Sequence, residues 1–294
     1  MRANPYNLVA TVRVGIMQTS LSSFEQVADG VFVAVAEPAS VNIGLVVGRD
    51  AALVIDTGCS PAHGAEIRAA AESAAGVPVR AVMVTHWHWD HFFGLAGFAG
   101  MPSYGHETLT HWLRSDGLAV SAAEVGVRVA ELVAPTHPFS LARVVDLGDR
   151  RVELVHFGRA HSDGDVVAIV PDANVIFAGD LLEQSGPPAF GPDCHPKDWP
   201  SAVDGILGLV DEYTVIVPGH GSVIDRMFAF DQRARISGLY GQAEHLAKRG
   251  IRLAEAYAAG EWPFPEEVVR EALPIIYEEL EADGIHPGRN LPLA

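Results

Sequence analysis

The chain has 294 residues, 49% apolar and 19% charged, with a net charge of −17, which suits a packed globular protein and excludes a disordered one. Its 20 basic residues form no cluster, which excludes a nucleic-acid groove and an anionic membrane surface as partner. Two cysteines, Cys59 and Cys194, make no disulfide framework. The apolar run Leu8–Met17 is interrupted by Arg13, with no cleavage pattern after it, and no stretch is long enough to span a bilayer. The expected location is the cytoplasm.

In chain order, Val31–Ala36, Val41–Val47 and Ala51–Ile55 read as strands, short and rich in Val and Ile. Asp56-Thr57-Gly58 ends the third, and Pro61 opens an Ala-rich helix to about Ala75. Val79–Val84 is a buried strand. At its end stands Thr85-His86-Trp87-His88-Trp89-Asp90-His91. A helix is expected from Phe92, a short strand at Met101–Tyr104, and helices over Glu107–Arg114 and Ala122–Leu132. Strands follow at Ala142–Asp146, Val152–Phe157, Asp165–Val170 and Val175–Ala178, with a hairpin turn at Pro171-Asp172-Ala173-Asn174. Trp199–Leu209 reads as helix and Thr214–Val217 as a last strand. From Ile224 the pattern is helical, broken near Gly260–Pro263 and resuming over Glu266–Glu281. This order predicts two similar β/α halves, sheets packed together with helices outside.

The chemistry concentrates at strand ends. His86 and His88, two apart, point to one side in extended backbone, and Asp90 and His91 follow at once. Four good ligand types within six residues make a metal site rather than a solvated turn. His161 in Gly158-Arg159-Ala160-His161-Ser162-Asp163-Gly164, Asp180 after Phe177-Ala178-Gly179, and His220 in Pro218-Gly219-His220-Gly221 repeat one geometry, a polar group closing a hydrophobic run. Trp87, Trp89, Phe92 and Phe93 either line a pocket or pack beneath the loop. The Gly/Pro-rich segment Glu183–Trp199 is either a loop over the site or a stiff connector. Cys59 reads as a small buried residue, and Cys194 is not needed as nucleophile or ligand.

In this order, from Gly30 to Ile224, these motifs resemble the metallo-β-lactamase-fold hydrolase superfamily, with Asp56-Thr57-Gly58 matching its early Asp motif. The resemblance implies an α/β (α+β) protein, a four-layer αβ/βα sandwich: a single domain over 1–294, with a catalytic core at 20–224 and a helical extension at 225–294 that covers the site, packs or dimerises. It implies two divalent metal ions, one on His86, His88 and His161, the other on Asp90, His91 and His220, with Asp180 bridging. Zinc is favoured by the His-rich set, and iron or manganese fits the same ligands. Asp56 would orient the ligand-bearing loop.

The implied activity is hydrolysis of an ester, thioester or lactone, in which a hydroxide shared by two metals about 3.5–4 Å apart attacks the carbonyl and Asp90 handles the proton. The substrate would be a small, partly apolar molecule. An Asp at position 180 resembles the glyoxalase II, lactonase and thioesterase-like branches; the best-known zinc β-lactamases carry Cys or Ser there. A β-lactam hydrolase and a mononuclear iron persulfide dioxygenase are the competing readings.

Overall fold

The computed structural model describes residues 18–288, so the run Leu8–Met17 lies outside the described residues. The first half carries strands β1 (Ser20–Leu21), β2 (Glu25–Ala28), β3 (Val31–Glu37), β4 (Val41–Val47) and β5 (Ala52–Ile55), then helix α1 (Pro61–Ala75) and β6 (Val79–Met83). Short helix α2 (Trp89–Phe92), β7 (Ser103–His106), α3 (Thr108–Trp112), α4 (Asp116–Glu124) and β8 (His137–Phe139) follow. These strands form one sheet in the order β1-β3-β4-β5-β6-β7-β8, with β2 also on β3. β3, β4 and β5 pair antiparallel, and β5 through β8 run parallel.

The second half carries β9 (Ala142–Asp146), β10 (Arg151–Val155), β11 (Val167–Val170), β12 (Val175–Gly179), helix α5 (Trp199–Leu207) and β13 (Val215–Pro218). Its sheet runs β13-β12-β11-β10-β9, antiparallel except for the parallel β12–β13 pair. Helices α6 (Arg226–Lys248), α7 (Leu253–Ala259) and α8 (Glu266–Ala282) complete the described chain. No helix among the described residues is long and apolar enough to cross a membrane.

Strand alternation builds the layers. On β5, Leu53 and Ile55 turn toward the second sheet, where they join Leu154, Val170 and Phe177. The intervening Ala52 and Val54 turn outward with Ile67 and Ala71 of α1. On β12, Val175 and Phe177 face the first sheet, while Ile176 and Ala178 pack outward with Val203, Ile236 and Ile276 of α5, α6 and α8. Side chains alternate across a strand, so one apolar run supplies two interfaces, and a helix–sheet–sheet–helix sandwich results. α1 forms where expected: Ser60 accepts the N–H of His63, Pro61 occupies the first turn, and Gly76 closes it in the left-handed region at φ 66°.

Three expectations shift. The helix expected from Phe92 is instead the single turn α2, one turn earlier, followed by a 3-10 turn at Leu95–Phe98, because the ligand-bearing residues themselves wind into it. The helix expected over Ala122–Leu132 begins earlier, where the Ser115 side chain accepts the N–H of Leu118, and ends at Glu124 before Gly126 at φ 74°. β1, β2 and β8 are strands that the sequence does not announce; the three residues of β8, with a central Pro138, give no alternation to detect.

Candidate metal centre

Both sheets deliver chemistry to one edge. β5 is followed directly by Asp56, whose N–H donates to the Met83 carbonyl at 2.8 Å, so the two parallel strands finish together. Asp56 holds φ 65°, unusual for a residue with a side chain. Its carboxylate accepts from the Thr85 N–H at 2.8 Å and from Thr85 Oγ1 at 2.9–3.0 Å, anchoring the start of the histidine run. The other end of that run docks on the Asp56 loop: Thr57 N–H donates to the His91 carbonyl at 2.8 Å, and the Thr57 hydroxyl donates to the same oxygen at 2.7 Å.

The seven residues singled out by the sequence converge in two groups. In the first, His88 Nδ1 lies 3.0 Å from His86 Nε2 and 2.8 Å from His161 Nε2, and Asp180 Oδ2 stands 3.7 and 3.5 Å from His86 and His161. In the second, His220 Nε2 lies 3.3 Å from both His91 Nε2 and Asp90 Oδ2, and Asp180 Oδ1 stands 3.2 Å from His91 and 3.6 Å from His220. Asp180 thus presents one oxygen to each group. Its Oδ1 is buried without a hydrogen-bond partner. Both groups have the spacing of a site that can hold a metal ion.

The outward partners of the imidazoles decide where the lone pairs point. His91 Nδ1 sits 2.8 Å from Asp56 Oδ2 and His220 Nδ1 3.0 Å from the Ala39 carbonyl; both oxygens only accept, so both Nδ1 atoms carry the proton. His88 Nε2 donates to Asp193 Oδ2 at 3.2 Å. Thr85 spends its proton on Asp56 and accepts from His86 Nδ1 at 3.0 Å. In the neutral form that metal binding requires, four of the five imidazoles therefore aim their unprotonated nitrogen inward. Lone pairs converging at 2.8–3.3 Å repel unless a cation sits among them. The residues present fit bound metal.

The charges divide the imidazoles differently, because His88 in the first group is raised by Asp193 despite its burial. Burial, with His91 next to it, holds the His86 imidazole well below its usual range, and burial with His88 beside it holds His161 at about 4. Burial works against charge on His91 and His220 too, but the carboxylates outweigh it: Asp180, Asp90 and Asp56 raise His91 well above the usual range, and Asp180 with Asp90 raises His220 to about 10. Asp180 stays well below the usual carboxylate range despite burial, through His91 and His86.

A pH test follows for the metal-free protein. His161 has a folded value below its unfolded 6.5. A base depressed in this way leaves stability complete above the unfolded value and erodes it as pH falls from 6.5 toward 4. His161→Gln, which cannot titrate, is expected to escape this loss, worth up to about 3 kcal/mol. Urea midpoints of chelator-treated wild type and variant should converge, or cross in favour of the variant, between about pH 7.5 and about pH 4.5. A constant gap would refute the assignment of a buried neutral imidazole.

Residues 36–220 match the family model described as the metallo-beta-lactamase superfamily. The chain belongs to this superfamily. Over 207 residues it is 26% identical to the "Probable metallo-hydrolase YqgX" of Bacillus subtilis (strain 168), covering 68% of this chain and 94% of that one. Over 181 residues it is 23% identical to the "Metallo-beta-lactamase type 2" of Bacteroides fragilis, covering 60% of this chain and 67% of that one. Among solved structures, a metallo-beta-lactamase from Pontibacter korlensis superposes with TM-score 0.59 at 21% identity, covering 74% of this chain and 99% of that one, which shows the shared fold.

Within this metallo-beta-lactamase superfamily member, two positioning residues lie outside the motifs. Asp193, in the segment after Asp180, receives both His88 Nε2 and Trp87 Nε1, the latter at 2.7 Å. Despite burial, His88 and Trp87 hold its carboxyl at about 2. Asn42, buried on β4, donates through Nδ2 to the Pro218 and Gly221 carbonyls at 2.9 and 2.8 Å, bracketing His220. A lone acid in a Pro-rich loop and a lone Asn in an apolar strand carry no periodic signal; each is found only by its long-range partner. Asp193→Ala is expected to weaken metal binding by roughly 10–100-fold while leaving the fold intact. Zinc titration against a competing chelator checks this, and unchanged affinity would contradict it.

The aromatic residues of the run divide. Trp87 is buried and stacks on Trp112 at 4.1 Å with 5° between planes, and Phe92 and Phe93 are fully buried in the outer core, so these three pack beneath the loop rather than line a pocket. Trp89 is half-buried. Cys59 is buried against His63, and Cys194 is buried with its thiol pushed up by burial, so neither is poised as a nucleophile. His156 donates from Nδ1 to the Asp165 carbonyl at 2.8 Å, and Asp165 in turn accepts the Ser162 N–H and hydroxyl, which shapes the His161 turn.

Proposed function

We propose that this protein is a dinuclear metal-dependent hydrolase acting on a carbonyl ester, thioester or lactone of a small, partly apolar molecule. The observation that carries the reading is Asp180, one oxygen toward each histidine group and neither group missing a member. His86, His88, His161 and Asp180 would hold one cation, and Asp90, His91, His220 and Asp180 the other. Two divalent cations, when bound, supply an acidified water and a polarised carbonyl. Zinc fits the imidazole-rich donor set best.

The chain's own residues then do the following. Asp56, Thr85, Asp193 and the Ala39 carbonyl hold four of the five imidazoles in orientation, so little reorganisation is needed when substrate arrives. Asp90 Oδ2, 3.3 Å from His220 Nε2, is the carboxylate placed to take the proton from the attacking water and return it to the leaving group. No serine or cysteine nucleophile is involved.

A second reading, β-lactam hydrolysis, is favoured by the names of relatives at 23% identity. A panel of acyl-CoA thioesters, lactones, aryl esters, β-lactams and phosphodiesters, run with metal-loaded and chelator-treated protein, separates the two. Chelator-sensitive turnover of the first three classes is expected. Turnover of β-lactams alone would overturn the proposed bond type.

A further inference from the structure

Glu183 stands outside the seven residues already discussed, three positions after Asp180. Its carboxylate has an oxygen within 4.8 Å of the ligand atoms of both Asp180 and His220. It is half-buried and held there by local hydrogen bonds. Glu183 Oε1 accepts from the Ser185 N–H at 3.1 Å and from the Ser185 hydroxyl at 2.5 Å. Its own N–H donates to Oε1 of the buried Gln232 on α6 at 3.0 Å, and Gln232 Nε2 donates to the Leu181 carbonyl at 3.0 Å. The helix therefore fixes the segment that carries Glu183 beside the second group.

The two groups then differ in donor chemistry. The first offers three imidazole nitrogens and one carboxylate oxygen; the second offers two imidazole nitrogens, Asp90, the unpartnered Oδ1 of Asp180 and, adjacent, Glu183. Carboxylate oxygen favours harder cations such as manganese, whereas imidazole favours zinc. We propose that Glu183 belongs to the second position, ligating its cation directly or through a held water, and that it narrows zinc's advantage over manganese there.

The inference rests on the metal-centre reading, and the test keeps the two apart. Chelator-stripped wild type and Glu183→Gln receive one equivalent of zinc and are then titrated with Mn2+ by calorimetry, with the electron paramagnetic resonance of free Mn2+ as a second readout. The glutamine retains an acceptor for Ser185. The expected result is Mn2+ binding in the wild type that weakens roughly 10-fold or more in Glu183→Gln, with first-equivalent zinc affinity unchanged within about twofold. Equal Mn2+ affinity in both proteins would overturn the role of Glu183, and so would a parallel loss of zinc and manganese, which marks a loop support. Failure of the wild type to take up zinc at all would instead defeat the metal-centre reading.

Discussion

Asp180→Ala is expected to lower kcat/KM by roughly 1,000-fold, the several kcal/mol that a correctly placed dinuclear centre contributes. The reason is geometric. Asp180 Oδ2 serves His86 and His161, Oδ1 serves His91 and His220, and among the described residues no other side chain reaches into both groups. Without it, His91 and His220 lose the carboxylate that most raises them, and each group falls to three donors. Asp180→Asn keeps the volume but not the negative charge and should fall almost as far. Steady-state kinetics with metal content on the same sample checks this: activity and bound metal should drop together. Retained metal with retained activity would remove Asp180 from the site.

Gly219→Ala, a single added methyl group, is expected to cost roughly 100-fold in activity, the scale of a 1 Å misplacement in a preorganised site. A Cβ at Gly219 would sit 1.8 Å from Asp180 Oδ1 and 3.0 Å from Asp180 N. The backbone cannot retreat, because Gly219 N–H donates to the Gly179 carbonyl at 2.8 Å and its carbonyl accepts from Asn42 N–H at 2.8 Å. The carboxylate must therefore move, and with it both groups. Gly238→Ala in α6, where a Cβ meets nothing within 4 Å, is the matched control and should be neutral or slightly stabilising. Equal activity of the two variants would contradict the close approach of Gly219 to Asp180.

What the sequence made legible follows from how local each signal is. His86 to His91 announce themselves within six residues, and Asp180 and His220 each end an apolar run beside glycine, so these candidate ligands stand out without coordinates. Asp56 was legible for the same reason. Asp193, Asn42 and Glu183 were not, because each acts on a residue brought near only by folding: Asp193 meets His88 across 105 positions and Asn42 meets Pro218 across 176. The sheets were legible in their long strands, where alternation is strong. They were not in β1, β2 and β8, which are too short to alternate. The aromatic run shows the remaining limit. Trp87 meets the His88 ring edge-on at 4.7 Å, and its partners Trp112 and Asp193 reveal it as a brace rather than a pocket wall.

Asp180, with one oxygen toward each ligand group, is what would join the two into one metal centre. The most direct measurement is metal stoichiometry by plasma mass spectrometry on purified protein, before and after chelation, with turnover assayed in the same fractions. Two transition-metal ions per chain, lost with activity on chelation and regained together on reloading, is the predicted result. Less than one ion per chain in fully active, chelator-resistant protein would contradict it.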